Sequence, residues 1–390
     1  MKRLAVKTPD RPRMVVALAM FQVVIGSTLP SGLYATYESQ WGLTREMTTV
    51  IFSMYVVGVL VSLLFLGHLA DRLGRKKVMV SSLLLSMFSS ALFLAATNAA
   101  YLYPARLISG ISVGICTGAF TAALGDLSGK KEGAAISALV TSGGLAVGPL
   151  ASAVAARCLP YELRIPFVIH LALLAVVGFF LLRFPDTASD SRQNIRPVAK
   201  GQFFPSNASL KLFIVCSAII GWAYGANGLW QSVVPLTLGG QRNSQIYIAA
   251  LASLMLGSSA LAQWFTLRQN PSRLATVGLL SMACGLIICG IASALGFASL
   301  LWGATVLVGV GQGLGFRGSL SVASHVASDQ RQSTAISLYY VFGYLMTAAA
   351  PLATNSLGVG HVLLGLGLVS VVTLFAFKVY MRKVQNYAQC

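Results

Sequence analysis

The chain has 390 residues, 56% of them hydrophobic and only 10% charged, where a soluble domain carries about 25% charged residues. So little polar surface cannot cover a water-soluble globule of this size, and the composition excludes one. The formal charge of +18 comes from 28 Lys and Arg against 10 Asp and Glu. It falls in short gaps between apolar runs, as in cytoplasmic loops of membrane proteins, with no nucleic-acid-binding motif beside it.

A helix that crosses a membrane needs about 20 mostly apolar residues, and about twelve runs meet that length. In chain order the first half gives Met14–Tyr37, Met47–Ala70, Val78–Thr97, Tyr101–Leu124, Ala134–Ala156 and Ile165–Leu182. The second half gives Leu212–Leu236, Ile246–Leu267, Leu274–Ala294, Ala298–Ser321, Ala335–Asn355 and Val359–Tyr380. No small-residue cleavage site follows the first run, so it reads as a retained helix and not a signal peptide. The polar stretch between the halves divides the chain into an N-terminal six-helix half (1–183), a cytoplasmic linker (184–211) and a C-terminal six-helix half (212–390). The fold class expected is an all-α membrane protein of 12 helices in two pseudo-symmetric bundles.

Lys and Arg set the orientation. With the N-terminus in the cytoplasm, that side receives Lys2, Arg3, Lys7, Arg11, Arg13, Arg72, Arg75, Lys76, Lys77, Lys130, Lys131, the basic linker, Arg268, Arg273, Arg331, Lys378, Arg382 and Lys383. The other side receives Arg45, Arg157, Arg164 and Arg242. Both termini are therefore expected in the cytoplasm. The halves also repeat: Ala135-Ile136-Ser137 matches Ala335-Ile336-Ser337, Lys131 matches Arg331, and Gly143 matches Gly343.

Between the second and third runs stands Gly67-His68-Leu69-Ala70-Asp71-Arg72-Leu73-Gly74-Arg75-Lys76-Lys77. Glycines allow a tight turn there, and the basic residues hold the loop at the cytoplasmic face. The segment resembles the signature loop of major facilitator superfamily transporters, most like the bacterial drug/proton antiporter branch with twelve helices. The resemblance implies that Gly67, Asp71, Arg72, Gly74 and Arg75 form a gate that latches the two halves near Ser333 and Thr334. It also implies that Asp126, at the end of span four, joins that network. Arg106 with Gly110, Gly114 and Gly118 resembles the family's arginine-containing helix, whose arginine is implicated in proton transfer. Gly144-Leu145-Ala146-Val147-Gly148-Pro149 is similar to the element associated with antiporters, with Ala151-Ser152 standing where a double glycine is expected.

Two enzyme-like patterns have a plainer reading. Gly110-Ile111-Ser112-Val113-Gly114 matches a nucleophile elbow and Gly313-Leu314-Gly315-Phe316-Arg317-Gly318 a dinucleotide loop. Both lie inside apolar helices without the strand each motif requires, and small residues so placed serve helix packing. The chain is not expected to be an enzyme. Its six cysteines have no metal-ligand spacing.

No acid falls clearly at mid-membrane, where desolvation would tune a proton site. Glu38, beyond the outer end of span one, and Arg106 are the coupling candidates. Gln22, Tyr34, Trp222, Asn227, Trp230 and Arg317 are the candidates for a substrate pocket, with Arg317 also able to bind exposed helix carbonyls. The four histidines read as structural or interfacial. The function expected is proton-coupled efflux of small drug-like compounds by alternating access. The alternative is uptake or facilitated diffusion of a small polar or anionic metabolite. The partners expected are a small-molecule substrate and the lipid bilayer of a bacterial inner membrane. No cofactor, no metal and no nucleic acid are expected, and the chain is expected to act as a monomer.

Overall fold

The computed structural model describes residues 10–66, 73–183, 204–238, 245–297, 299–327 and 332–387. Among them there is helix and no strand, because a chain in lipid must satisfy every backbone group within its own helices. Among the described residues, eleven helices have the length and apolarity of a membrane span. Leu300–Val326 is the twelfth long helix, with 27 residues. It is long enough to cross at about 1.5 Å per residue, and its glycines, Gln312 and Arg317 make it less apolar.

We number the spans in chain order. The first six are Arg11–Gly32, Arg45–Leu66, Arg75–Ala95, Ala99–Ser128, Glu132–Cys158 and Ile165–Arg183. The second six are Asn207–Ser232, Gln245–Phe265, Pro271–Leu295, Leu300–Val326, Ala335–Leu357 and Val359–Val384. Span one does not run on to Tyr37 as expected. Its α-helix stops at Thr28, turns through Leu29–Gly32 and restarts as the short helix Tyr34–Trp41. Pro30 causes the break, since it lacks an N–H and cannot continue the α ladder. Span seven starts earlier than expected, at Asn207, inside the stretch read as linker. Ser206 caps it by accepting from the Ser209 N–H at 3.1 Å. The rest of that linker, 184–203, lies outside the described residues.

The buried apolar residues fall into two clusters, one drawn from positions between Val16 and Leu181, the other from positions between Leu212 and Phe377. The large apolar side chains left exposed, among them Phe65, Phe88, Phe179, Phe265, Val372 and Phe375, are what a lipid-facing surface needs. Between the clusters, span five packs on span eight and span two on span eleven. Leu145 and Ala146 reach the second cluster, and Tyr344 and Ala348 reach the first.

The repeat seen in the sequence has a structural counterpart. A Cβ on Gly144 would lie 2.9 Å from Val24 of span one, and one on Gly343 would lie 2.8 Å from Ile220 of span seven. Span five thus packs on span one as span eleven packs on span seven. Both enzyme-like glycine patterns are also packing surfaces. Gly110 and Gly114 meet span two at Tyr55 and Ser62, while Gly313 meets Ser259 of span eight and Gly318 meets Ala275 of span nine.

Candidate functional site

Arg106 sits seven residues into span four, roughly 10 Å from its end at 1.5 Å per residue. It is only 1% exposed. An arginine this deep costs about 2.5–3.5 kcal/mol on insertion scales unless it finds partners. Its Nη1 donates to the Ser27 carbonyl at 2.5 Å, which becomes available where span one leaves the α-helix. The guanidinium carbon lies 5.1 Å from the Tyr55 ring centre, 5.3 Å from Phe52 and 5.9 Å from Tyr34, within cation–π range. Its Nε has no hydrogen-bond partner. Among the described residues no acid pairs with it; Arg13 pairs with Glu132 and Arg75 with Asp126.

Tyr55 connects this charge to the interface between the halves. On the second half Tyr224 packs edge-on against Tyr344 at 5.2 Å and lies 5.8 Å from Phe316, which lies 6.1 Å from Tyr340. Tyr344 packs against the first-half core of which Tyr55 is a member, where span eleven meets span two. Tyr340 and Tyr344 stand four residues apart in one helix, so they share a face. These rings come from spans two, seven, ten and eleven, and Tyr344 is the one that packs across onto the first half.

The six pocket candidates divide. Gln22 Oε1 on span one and Asn227 Oδ1 on span seven are buried without a hydrogen-bond partner, as are both amide atoms of Gln231. Unpaired polar atoms at such depth are sites for water or for a ligand's polar groups. Tyr34 belongs to the Arg106 cage. Trp230 is fully buried in the second half, its Nε1 donating to Thr305 at 3.1 Å, and Trp222 donates to Thr373 of span twelve at 2.9 Å. Both indoles therefore tie helices of one half together. Arg317 donates to the Gln263 and Leu267 carbonyls at 2.6 and 2.8 Å, satisfying the end of span eight as a cation at a helix C-terminus does.

In span five, Gly144, Gly148 and Pro149 form the seam with span one. A Cβ on Gly148 would lie 2.0 Å from Thr28 Oγ1, and one on Gly32 would lie 2.1 Å from the Pro149 carbonyl. Ser152 donates to the Leu29 carbonyl at 2.7 Å, so the seam also serves the break in span one.

On the basic face, Gly67, Asp71 and Arg72 lie outside the described residues. Gly74 takes φ 90° before span three, where any other residue is strained. Arg75 forms an ion pair with Asp126 and donates to the Ala122 carbonyl at 3.2 Å, joining spans three and four. The Asp126 side chain is 34% exposed, so the pair adds little stability. Asp126→Asn is expected to change the unfolding temperature by only about 1–2 °C while lowering turnover about tenfold. Melting curves and flux on the same preparation check this, and unchanged flux would reduce the pair to a structural tie.

Glu38 lies beyond span one on the short helix Tyr34–Trp41, half-buried, and accepts from the Thr48 hydroxyl at 2.8 Å. Burial raises its carboxyl pKa above the usual range, opposed by the Thr48 hydrogen bond and by Arg45. His170, read from sequence as structural, pairs with Ser90 Oγ and the Gln22 carbonyl, each at 2.8 Å, and so ties spans one, three and six.

Three features escaped the sequence reading. The first is the cage formed by Phe52 and Tyr55. The second is the interface cluster of Tyr340, Tyr344 and Phe316. The third is a polar chain across the halves, in which Gln263 donates to Ser142 Oγ at 3.3 Å and to Ser259 Oγ at 3.1 Å, and Ser259 donates to Gln312. The four-residue spacing of Tyr340 and Tyr344 was the available signal.

Residues 16–351 match the family described as Major Facilitator Superfamily. The multidrug resistance protein MdtM of Salmonella typhimurium is 24% identical over 57% of this chain and 55% of its own length. The chain thus spans about half of that relative's length. The multidrug transporter MdfA of Shigella boydii is 25% identical over 74% of this chain and 72% of its own. Among solved structures, the POT family transporter PepTSo superimposes with a TM-score of 0.77 at 11% identity, covering 97% of this chain and 99% of its own. The nucleoside transporter NupG gives 0.68 at 14% identity over 95% and 99%. At such identities these two structures speak for the fold alone.

Proposed function

The chain belongs to the major facilitator superfamily, and from that membership we propose that it exports small amphipathic, drug-like organic compounds in exchange for protons. It is a multi-pass membrane transporter and not an enzyme. The observation that carries the finer reading is the cluster where the halves meet. Tyr344 stacks edge-on with Tyr224 and packs against the first-half core that holds Tyr55, while Gln22 and Asn227 hold unpaired polar atoms on spans one and seven. A mostly aromatic site with a few polar groups suits bulky amphipathic compounds. A site between two rocking halves is how such folds alternate access. The names of the relatives MdtM and MdfA support the same class of cargo.

In this reading the chain works as a monomer in a bacterial inner membrane with both termini in the cytoplasm. It uses the proton gradient and no cofactor. Glu38 is the proton site: its carboxyl holds a proton to higher pH than a free glutamate, at the face where protons would enter. A second reading, facilitated diffusion or uptake of a polar or anionic metabolite, draws on Arg106, which lacks an acid partner among the described residues.

The test uses inverted vesicles holding an imposed pH gradient, with lipophilic cations, neutral drugs and organic anions added in turn. One class should collapse the gradient only with the intact protein, and Asp71→Asn should prevent it. Glu38→Gln should keep solute movement and lose the proton flux. Solute equilibration with no proton movement in the intact protein would remove antiport and leave facilitated transport.

A further inference from the structure

We propose that the exported class is organic anions with a flat aromatic body, their charged group bound by Arg106 and their rings by Tyr55, Tyr224 and Tyr344. This rests on the export reading and names its cargo. The guanidinium is fully inside the protein, and three aromatic faces and one carbonyl are its partners. Those groups supply partial charge only, so a full positive charge remains uncompensated where the dielectric is low. The unpaired Nε is one of the two donors that a carboxylate or sulfonate engages in a side-on approach, and planar double hydrogen bonding is what arginine does better than lysine.

The placement of the acids points the same way. Glu46 is in the first turn of span two, Glu132 in the first turn of span five, and Asp126 near the end of span four. Glu38 and Glu162 lie between spans. None of these carboxylates stands among the rings of the interface cluster, so a lipophilic cation entering it would meet Arg106 and, among the described residues, no counter-charge. Repulsion between like charges in such surroundings is strong. An anion instead supplies the missing charge, and its ring can lie against Tyr55 beside the Arg106 guanidinium and against Tyr344, which packs on the core that holds Tyr55. An inside-negative membrane potential would also favour its exit, by roughly 50-fold in concentration ratio per 100 mV for one charge.

The test is calorimetry on the purified full-length protein with three probes of one shape: naphthalenesulfonate, the neutral naphthalenesulfonamide, and naphthylmethyl-trimethylammonium. The sulfonate should bind at least about tenfold tighter than the sulfonamide, and the cation should bind weakest. Arg106→Gln should abolish the preference with little change for the sulfonamide, and Arg106→Lys should keep part of it. Equal binding of the three, binding of none, or tightest binding of the cation overturns the proposal on the intact protein alone, whether or not the variants fold. A sulfonate preference that survives Arg106→Gln overturns it as well. The vesicle assay separates the two readings. Flux of neutral or cationic drugs without anion preference keeps export and removes this cargo. No flux of any class removes export, whatever the calorimetry shows.

Discussion

Gly110→Ala is expected to lower the unfolding temperature by about 1–4 °C, the range that follows from about 1–3 kcal/mol of overpacking in a chain of 390 residues. Gly110→Leu is expected to leave no monodisperse protein. A Cβ on Gly110 would stand 2.0 Å from the Tyr55 carbonyl oxygen and 3.0 Å from the Val59 nitrogen. One on Gly58 would stand 2.1 Å from the Leu107 oxygen. Spans two and four therefore touch backbone to backbone, and no rotamer change can relieve a methyl group placed between them. The helices would have to separate, and the dispersion contacts of the whole seam, which take the place of hydrophobic driving force in lipid, would weaken. Arg106 stands one turn from Gly110 on the same face, so separation would also pull Tyr55 and Phe52 from its guanidinium. Gly118 is the internal control: it lies in the same helix and nothing stands within 4 Å of its Cβ position. Gly118→Ala should leave stability unchanged or raise it slightly, since alanine costs less than glycine in a helix. Size-exclusion melting of both variants decides the matter, and equal behaviour would mean the seam is looser than the structure has it.

Much of this fold was legible in the sequence because lipid imposes simple rules. Uninterrupted apolar runs, with Lys and Arg between them, mark the spans, and Leu300–Val326 remained legible despite Gln312 and Arg317 because its length alone suffices. The break in span one was less legible. Pro30 marks a weak point, yet the chain stays buried through it, so no loss of hydrophobicity signals the turn. The site was legible in its polar members and obscure in its aromatic ones. Gln22, Asn227 and Arg106 stand out in apolar surroundings because burying them is costly. Tyr55, Tyr340 and Phe316 look the same in sequence whether they face lipid, core or cavity. Trp222 and Trp230 show the same ambiguity from the other side, read as pocket residues and found holding Thr373 and Thr305.

Cysteines at Leu150 and Ser253, joined by an oxidant, are expected to stop turnover, and a reducing agent to restore it. Pro149 disturbs the helix of span five, and the Leu150 N–H donates to Ser253 Oγ of span eight at 3.2 Å. That contact makes the pair the choice for a disulfide across the halves, which forms where Cα atoms are about 4.4–6.8 Å apart. Each position lies eight residues from the end of its span opposite the basic face, Cys158 and Gln245 respectively, roughly 12 Å in. A covalent bond there holds the halves together on that side, where the Gln245 amide also donates to the Gly32 carbonyl at 3.1 Å. Rocking must part these groups for a site to open towards that face. Cys158 and Cys284 are exposed and need replacement by serine before the experiment, whereas Cys116, Cys216 and Cys289 are buried. Binding from the basic face should survive the cross-link, because that side stays free to open, so ligand affinity and turnover should separate. Full turnover with the bond formed would place the hinge itself at this level, with the opening motion confined to the helices around spans five and eight.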